Sequence, residues 1–230
     1  MPKYIEELVS QQVRRSEIAH QRRVEEGKHC AVPIITISRR MGSGARIVAA
    51  KLAHDLGWSL WDRELIDAIA QDANVSRRVV ERFDEHTISE IDMFARSALG
   101  DHEMGGFIYA RHLARAVTAI AKLGSAIFLG RGANFILPHA LNVRIDASDD
   151  RRVDNMMNYE NLNKEQAEAK LRQSDKDREH FLEQIFGHQR VQSVHYDLTI
   201  WMDEFTTDDA VEIIKAALKA KCRIPTGAGK

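Results

Sequence analysis

The chain has 230 residues, a formal net charge of −1, and 44% hydrophobic and 29% charged residues. That is enough for one well-packed domain with appendages, and the charge balance excludes any bulk electrostatic case for nucleic acid or a membrane surface as partner. No apolar run approaches the ~18 residues of a membrane span, the amino-terminal segment lacks the apolar core of a signal peptide, and Cys30 and Cys222 stand in no ligand or CxxC spacing, so the reading is a cytoplasmic protein with two free thiols.

Residues 3–26 carry a sparse apolar stripe of Ile5, Leu8, Val9, Val13 and Ile18. It predicts an amphipathic helix ahead of the main domain, packed on the core or on a second subunit, with Gly27 to end it. Pro33 then precedes Ile34-Ile35-Thr36-Ile37, which reads as a buried strand. After a glycine-containing loop, Val48, Leu52 and Leu56 recur every four residues as a helix face, and Gly57 stops it. A short second strand covers 58–61 and ends at Asp62. Residues 63–123 read as mostly helical, with a break at Gly100, Gly105 and Gly106 and the clearest helix over 107–122. A third strand, 126–129, runs into Gly130-Arg131-Gly132, and a fourth covers 141–145. Residues 149–186 read as charged and helical, 196–201 as a fifth strand and 207–220 as a closing helix. Trp58, Trp61 and Trp201 fall in strands and are expected in the core, and 223–230 is expected to be a disordered tail. Strands separated by helices imply parallel pairing and a sheet covered on both faces.

The order strand, glycine loop, helix is a device with chemical content. Loop amides that turn inward and the dipole of a helix amino terminus both favour a phosphate. Gly42 and Gly44 fit the need for close backbone approach, along the segment Arg39, Arg40, Met41, Gly42, Ser43, Gly44, Ala45, Arg46. Against the pattern GxxxxGK[ST], however, Arg39 stands at the first glycine, Ala45 at the lysine and Arg46 at the hydroxyl. A tight strand-to-helix turn accounts for the two glycines equally well.

Other segments make the loop more specific. Ile35-Thr36-Ile37-Ser38-Arg39, Gly42-Ser43-Gly44 and Arg46, followed by Leu56-Gly57 and Asp62-Arg63-Glu64-Leu65-Ile66, resemble the cytidylate kinase-like family of P-loop nucleoside monophosphate kinases, in its lysine-free ISRxxGSGG branch. Gly130-Arg131-Gly132-Ala133-Asn134 is similar to that family's third-strand loop. Asp146-Ala147-Ser148 with Arg152, and Asp175-Lys176-Asp177-Arg178, are similar to its lid, and Tyr196-Asp197-Leu198 with Val211 and Ile214 to its last strand and helix.

The resemblance implies an α/β fold of the P-loop kinase type, a three-layer sandwich around a five-stranded parallel sheet. Residues 1–28 would be a helical extension and 29–222 the kinase-like domain, with an acceptor-binding insertion at about 62–110 and a lid at about 150–180. It implies ATP with Mg2+ as donor and a pyrimidine nucleoside monophosphate, CMP or dCMP, as acceptor. The ATP phosphates would lie on Arg39, Met41, Gly42, Ser43, Gly44, Ala45 and Arg46. The acceptor would meet Asp62, Arg63, Gly130 and Arg131, and the lid would supply Arg152, Asp175 and Arg178, with Asp175 orienting a lid arginine. Arg46, Arg131, Arg178 and Asp175 are the catalytic candidates, Arg46 being the first replacement for the absent lysine, with Arg39 and Arg40 competing. Arg46 could equally be a surface arginine paired with a carboxylate, and Asp62 a helix N-cap. No direct side-chain metal ligand is expected, since neither Ser38 nor Ser43 has the usual spacing. A homodimer through the amino-terminal helix completes the expected partners. Two other readings stand beside this one: a small-molecule kinase with another acceptor, because Arg63-Glu64 and Ala68 replace acceptor-binding residues, and a nucleotide-binding regulatory protein with little catalysis.

Overall fold

Strand β1, Ile34–Arg39, is the centre of the sheet. Its odd-numbered side chains, Ile35 and Ile37, enter one apolar layer and Ile34 the other, because strand side chains alternate across a sheet. The computed structural model describes residues 3–25, 33–71, 79, 83–99 and 107–222; the expected tail at 223–230 and Gly27 lie outside them. Four further strands, β2 Ser59–Trp61, β3 Ala126–Leu129, β4 Leu141–Asp146 and β5 Leu198–Trp201, pair in parallel in the order β2-β3-β1-β4-β5. Strands β3 and β4 flank β1 on opposite sides, so the chain crosses over β1 between them. A crevice opens at such a reversal, outside the carboxyl ends of the strands.

Helices cover both faces. On one side lie α2, Ala45–Leu56, and α10, Thr207–Lys221, which bury Val48, Leu52, Val211 and Ile214 against Ile35, Ile37, Val143 and Ile145. On the other lie α3 Arg63–Gln71, α4 Glu85–Leu99 and α5 Phe107–Leu123, which close over Ile34, Trp61 and Phe128. Short α6, Ala133–Ile136, follows β3 directly. This is the three-layer α/β sandwich expected from the alternation of strands and helices. One polar pair is built into the sheet: the Thr36 hydroxyl donates to Asn142 Oδ1 at 2.5 Å, and Asn142 Nδ2 donates to the Pro138 carbonyl at 3.1 Å. Trp58 and Trp61 are buried, but Trp201 is 48% exposed. Strand β5 is a sheet edge, and Trp201 points outward from it, against the core expectation. The free-thiol reading also fails, because Cys222 is disulfide-bonded.

Helix α1, Lys3–Glu25, packs Ile5, Leu8, Val9 and Val13 of its apolar stripe within the chain and leaves Ile18 exposed. Val9 and Val13 join the cluster of Trp61 and Ile66. The Gln12 side chain accepts from the Leu60 amide at 2.9 Å, and the Ser16 hydroxyl donates to the Gly124 carbonyl at 2.6 Å while pairing with the Ser59 hydroxyl at 2.9 Å. An edge strand presents unpaired backbone groups, and α1 covers those of β2.

The stretch 149–186 is two helices, α7 Asp149–Glu160 and α8 Lys164–Phe186, because Asn161 turns left-handed (φ 52°) and Asn163 opens α8 with a capping box to Gln166. A five-residue α9, His188–Gln192, follows. The α7–α8 hairpin sits beneath the glycine loop. Gly42 (φ 80°) lies so close to α7 that a Cβ there would stand 2.8 Å from the Arg152 carbonyl oxygen, which excludes any side chain. Arg152, only 2% exposed, donates from Nε to the Met41 carbonyl at 2.7 Å and from its terminal nitrogens to Asp149 at 2.9 Å and to both Asp175 oxygens at 2.8 and 2.9 Å. Asn155 donates to the Gly42 carbonyl at 2.8 Å. The loop backbone is thereby fixed from below by two side chains of α7.

Two substitutions test these supports. Ser16→Ala removes the donor to the Gly124 carbonyl and should cost about 1–3 kcal/mol, seen as a lower urea midpoint at unchanged m-value; an unmoved midpoint would show that α1 is not held there. Arg152→Lys keeps the charge but cannot span three partners, so it should also cost about 1–3 kcal/mol in the same measurement.

Candidate active site

Strand β1 delivers its carboxyl end into a turn, and α2 starts at Gly44, a left-handed residue (φ 79°) that makes no side-chain cap. The first amides of any helix have no carbonyl one turn back within it. Here the Ile47 amide donates to the Gly44 carbonyl at 3.0 Å, while Ala45 and Arg46 line a cleft of about 1420 Å³ and no acidic residue stands in the first turn of α2. Parallel β3 ends beside β1, and the Gly130 amide donates to the Ile37 carbonyl at 2.9 Å. Gly130, Arg131 and Gly132 then run through three consecutive positive φ values of 88°, 53° and 65°. That conformation is costly for arginine, and it turns the Arg131 side chain into the same cleft.

Arginines crowd this cleft, and their partners separate them into classes. Arg40 is tied to the rim: it donates to Asp146 at 2.7 Å, to Asp149 at 3.2 Å and to the Ala147 carbonyl at 3.1 Å. Burial pushes the Asp146 carboxyl up, but hydrogen bonds from Arg40, Arg144 and the Ala147 amide outweigh it and hold that carboxyl below its ordinary value. Arg46 has a side chain 76% exposed and faces Asp62 at 3.7 Å. Asp62 also caps α3, accepting from the Leu65 amide at 3.1 Å. Arg152 and Asp175 lie beneath the loop, as described, with Asp175 orienting Arg152. Arg63 stands 3.7 Å from Asp67 at the mouth.

Arg131 is bound to Asp67, whose other oxygen accepts from the Tyr109 hydroxyl at 2.5 Å. Its guanidinium also lies 4.4 Å from the ring centre of Phe181 on α8, a cation–π contact. Burial first, then the hydrogen bond and charge of Asp67, push the Tyr109 hydroxyl well above its ordinary value, so it is a fixed donor. Asp67, Tyr109 and Phe181 come from three helices distant in sequence, and no local spacing signals them.

Arg39 and Arg178 remain. Arg178 donates to the Ser38 hydroxyl at 2.7 Å, which also accepts from Tyr196 at 3.2 Å, and Arg178 has no carboxylate partner among the described residues. Arg39 is half-buried and makes no hydrogen bond or ion pair with any described residue. Burial, then the charges of Arg178 and Arg63, offset in part by Asp62, and then Arg131, bring its pKa down to about 10. It is therefore still fully charged near neutral pH. Three buried polar atoms around the cleft have no partner among the described residues: Ser43 Oγ, Arg131 Nε and Asn134 Nδ2. Unpaired charge and unspent donors at a helix amino terminus are what a polyphosphate would satisfy.

Among the described residues no helix is long and apolar enough to cross a membrane, and no group of three His, Cys, Asp or Glu side chains could hold a metal ion. Two solved structures are similar. An uncharacterized protein from Eubacterium ventriosum is 23% identical, with a TM-score of 0.54 over 81% of this chain and 98% of that one, and shows the fold alone. TT1252 from Thermus thermophilus is 16% identical, with a TM-score of 0.38 over 81% and 96%. No curated protein matches. Residues 34–204 match the model of the cytidylate kinase-like family. That stretch spans the glycine loop, the Arg131 loop and both helices of the α7–α8 hairpin, and the chain belongs to the cytidylate kinase-like family.

Proposed function

We propose that the protein transfers the γ-phosphoryl group of ATP to the phosphate of a pyrimidine nucleoside monophosphate, CMP or dCMP. Membership of the family makes the chain nucleotide-kinase-like. One observation supports transfer between two phosphates: the glycine loop and the Arg131 loop open into a single cleft whose arginines Arg39 and Arg178 have no carboxylate partner among the described residues, while the pyrimidine acceptor rests on the family resemblance. The donor phosphates would lie on the backbone from Met41 to Arg46 and the acceptor phosphate against Arg131, with Asp62 and Arg63 at the acceptor's mouth.

An acceptor phosphate oxygen attacks the γ-phosphorus. The new P–O bond forms as the bond to the β-phosphate oxygen breaks, and the electron pair leaves on ADP. The attacking oxygen is already ionised near neutral pH, so no general base is needed, and Asp175 keeps its structural task. The barrier is lowered by positioning and by charge on the transferred group. Bidentate guanidinium groups suit that charge. Magnesium would supply further charge neutralisation on the ATP phosphates. Ser43, buried and unpartnered at its hydroxyl, is a loop side chain that could donate to a phosphate.

ADP release measured with MgATP and a panel of nucleoside monophosphates tests the reading. CMP- or dCMP-dependent release is expected. Release with another acceptor replaces the substrate, and ATP binding without any transfer makes the protein a nucleotide-binding regulator. Arg131→Ala should lower turnover about tenfold or more with the fold retained, the loss seen when one donor to a reacting oxyanion is removed. Near-normal turnover in that variant would remove Arg131 from the site.

A further inference from the structure

Every P-loop device of this kind needs a cation at the transferred phosphate, and this loop has Ala45 where the usual lysine stands. The obvious neighbours are engaged. Arg40 is held by Asp146 and Asp149, Arg46 faces Asp62 and is largely exposed, Arg131 is held by Asp67, and Arg152 by Asp149 and Asp175. Among the arginines lining the cleft, Arg39 is the one with neither a hydrogen bond nor an ion pair to any described residue.

The location of Arg39 is as telling as its lack of partners. It is the last residue of β1, at the foot of the glycine loop, and its guanidinium lies over Gly130. A Cβ on Gly130 would collide with Arg39 Nη1. The absence of a side chain at residue 130 therefore makes room for this guanidinium, in addition to permitting the loop's positive φ. Arg39 thus bridges the donor loop and the acceptor loop, where the phosphoryl group would pass.

We infer that Arg39 supplies the cation missing from the phosphate loop, binding the transferring phosphoryl group between ATP and the acceptor. The inference rests on the kinase reading and deepens it. As the P–O bond to ADP breaks and the bond to the acceptor oxygen forms, the charge spread over the transferred group meets Arg39 from the strand side and Arg178 from the lid side. Without an anion present, the charges of Arg178, Arg63 and Arg131 repel that of Arg39, and Asp62 offsets them only in part. The arrangement is therefore costly to the empty protein and is relieved by the substrate.

That trade sets the test. Arg39→Met, of similar length and uncharged, should lose about a hundredfold in turnover and about tenfold in ATP affinity, the scale of losing a transition-state cation. The melting temperature of the empty protein should rise rather than fall, an effect that no structural role for Arg39 would give. Gly130→Ala strains the loop at φ 88° in either background, so its loss should be larger in the parent than in the Arg39→Met background, the excess being the part owed to the displaced guanidinium. Arg39→Met with turnover and ATP affinity within about threefold of the parent, a change worth only ~0.7 kcal/mol, overturns the inference. So does loss of activity accompanied by a lower melting temperature, or a larger loss from Arg46→Ala than from Arg39→Met. If the parent binds ATP but phosphorylates no acceptor in the panel, the acceptor assignment fails and Arg39 is judged on ATP affinity alone. If the parent binds no ATP, both fall.

Discussion

The site is organised by like charge brought together without enough opposite charge. The charges of Arg178, Arg63 and Arg131 act on Arg39 across the cleft. Among the described residues, the opposing carboxylates are Asp62, which acts on Arg39 and is shared with Arg46, Asp67, shared between Arg63 and Arg131, and Asp146, which acts on Arg178 but is held by Arg40 and Arg144. Such a cluster is unfavourable in an empty protein, and only a rigid frame holds it. The frame is the parallel pairing of β1 with β3, which sets the ends of two strands side by side and points their loops into one crevice.

The rest of the structure supplies rigidity. Arg152 and Asn155 grip the carbonyls of the glycine loop from α7, and the close approach at Gly42 locks loop and helix together. Using up the carbonyls in this way leaves the amide side of the loop for the cleft. The same α7–α8 hairpin carries Arg178 and Phe181, so the element that braces the glycine loop also reaches the Arg131 loop through the ring of Phe181 on Arg131. The glycine loop and the Arg131 loop are thereby coupled through one element.

The inner strands are legible in the sequence as short apolar runs: Ile34 to Ile37 is β-branched throughout and follows Pro33, 126–129 lies between Gly124 and Gly130, and Leu141, Val143 and Ile145 alternate with polar residues. The loops after β1 and β3 are legible for the same reason, since a closely spaced glycine pair directly after such a strand marks a sharp turn at its carboxyl end, where ligands bind in α/β sheets. Trp201 misleads because an edge strand has the same composition as an inner one. The arginines are the least legible part. Composition shows which residues can bind phosphate, but the carboxylate that occupies each one, Asp62 for Arg46, Asp67 for Arg131 and Asp175 for Arg152, comes from another element. The family resemblance makes Arg152 a lid arginine facing substrate, yet it faces the Met41 carbonyl instead. Its selection of partners depends on the tertiary approach of α7 to Gly42, which nothing in local spacing reports.

The same physics explains why arginine rather than lysine can serve at residue 39. Burial and neighbouring cations lower the Arg39 pKa from an ordinary 12.5 to about 10, which leaves it charged at any physiological pH. A lysine starts near 10.4, and a comparable depression would bring it to about 8, where an appreciable part of the population is neutral. Its ammonium would also offer one point charge where the guanidinium offers a planar fork that can bind two phosphate oxygens at once. Arg39 keeps its charge at the end of β1, close to Arg63, Arg131 and Arg178, where a lysine would lose part of it. Under the proposed role, Ala45, Arg39 and Gly130 would be parts of one arrangement.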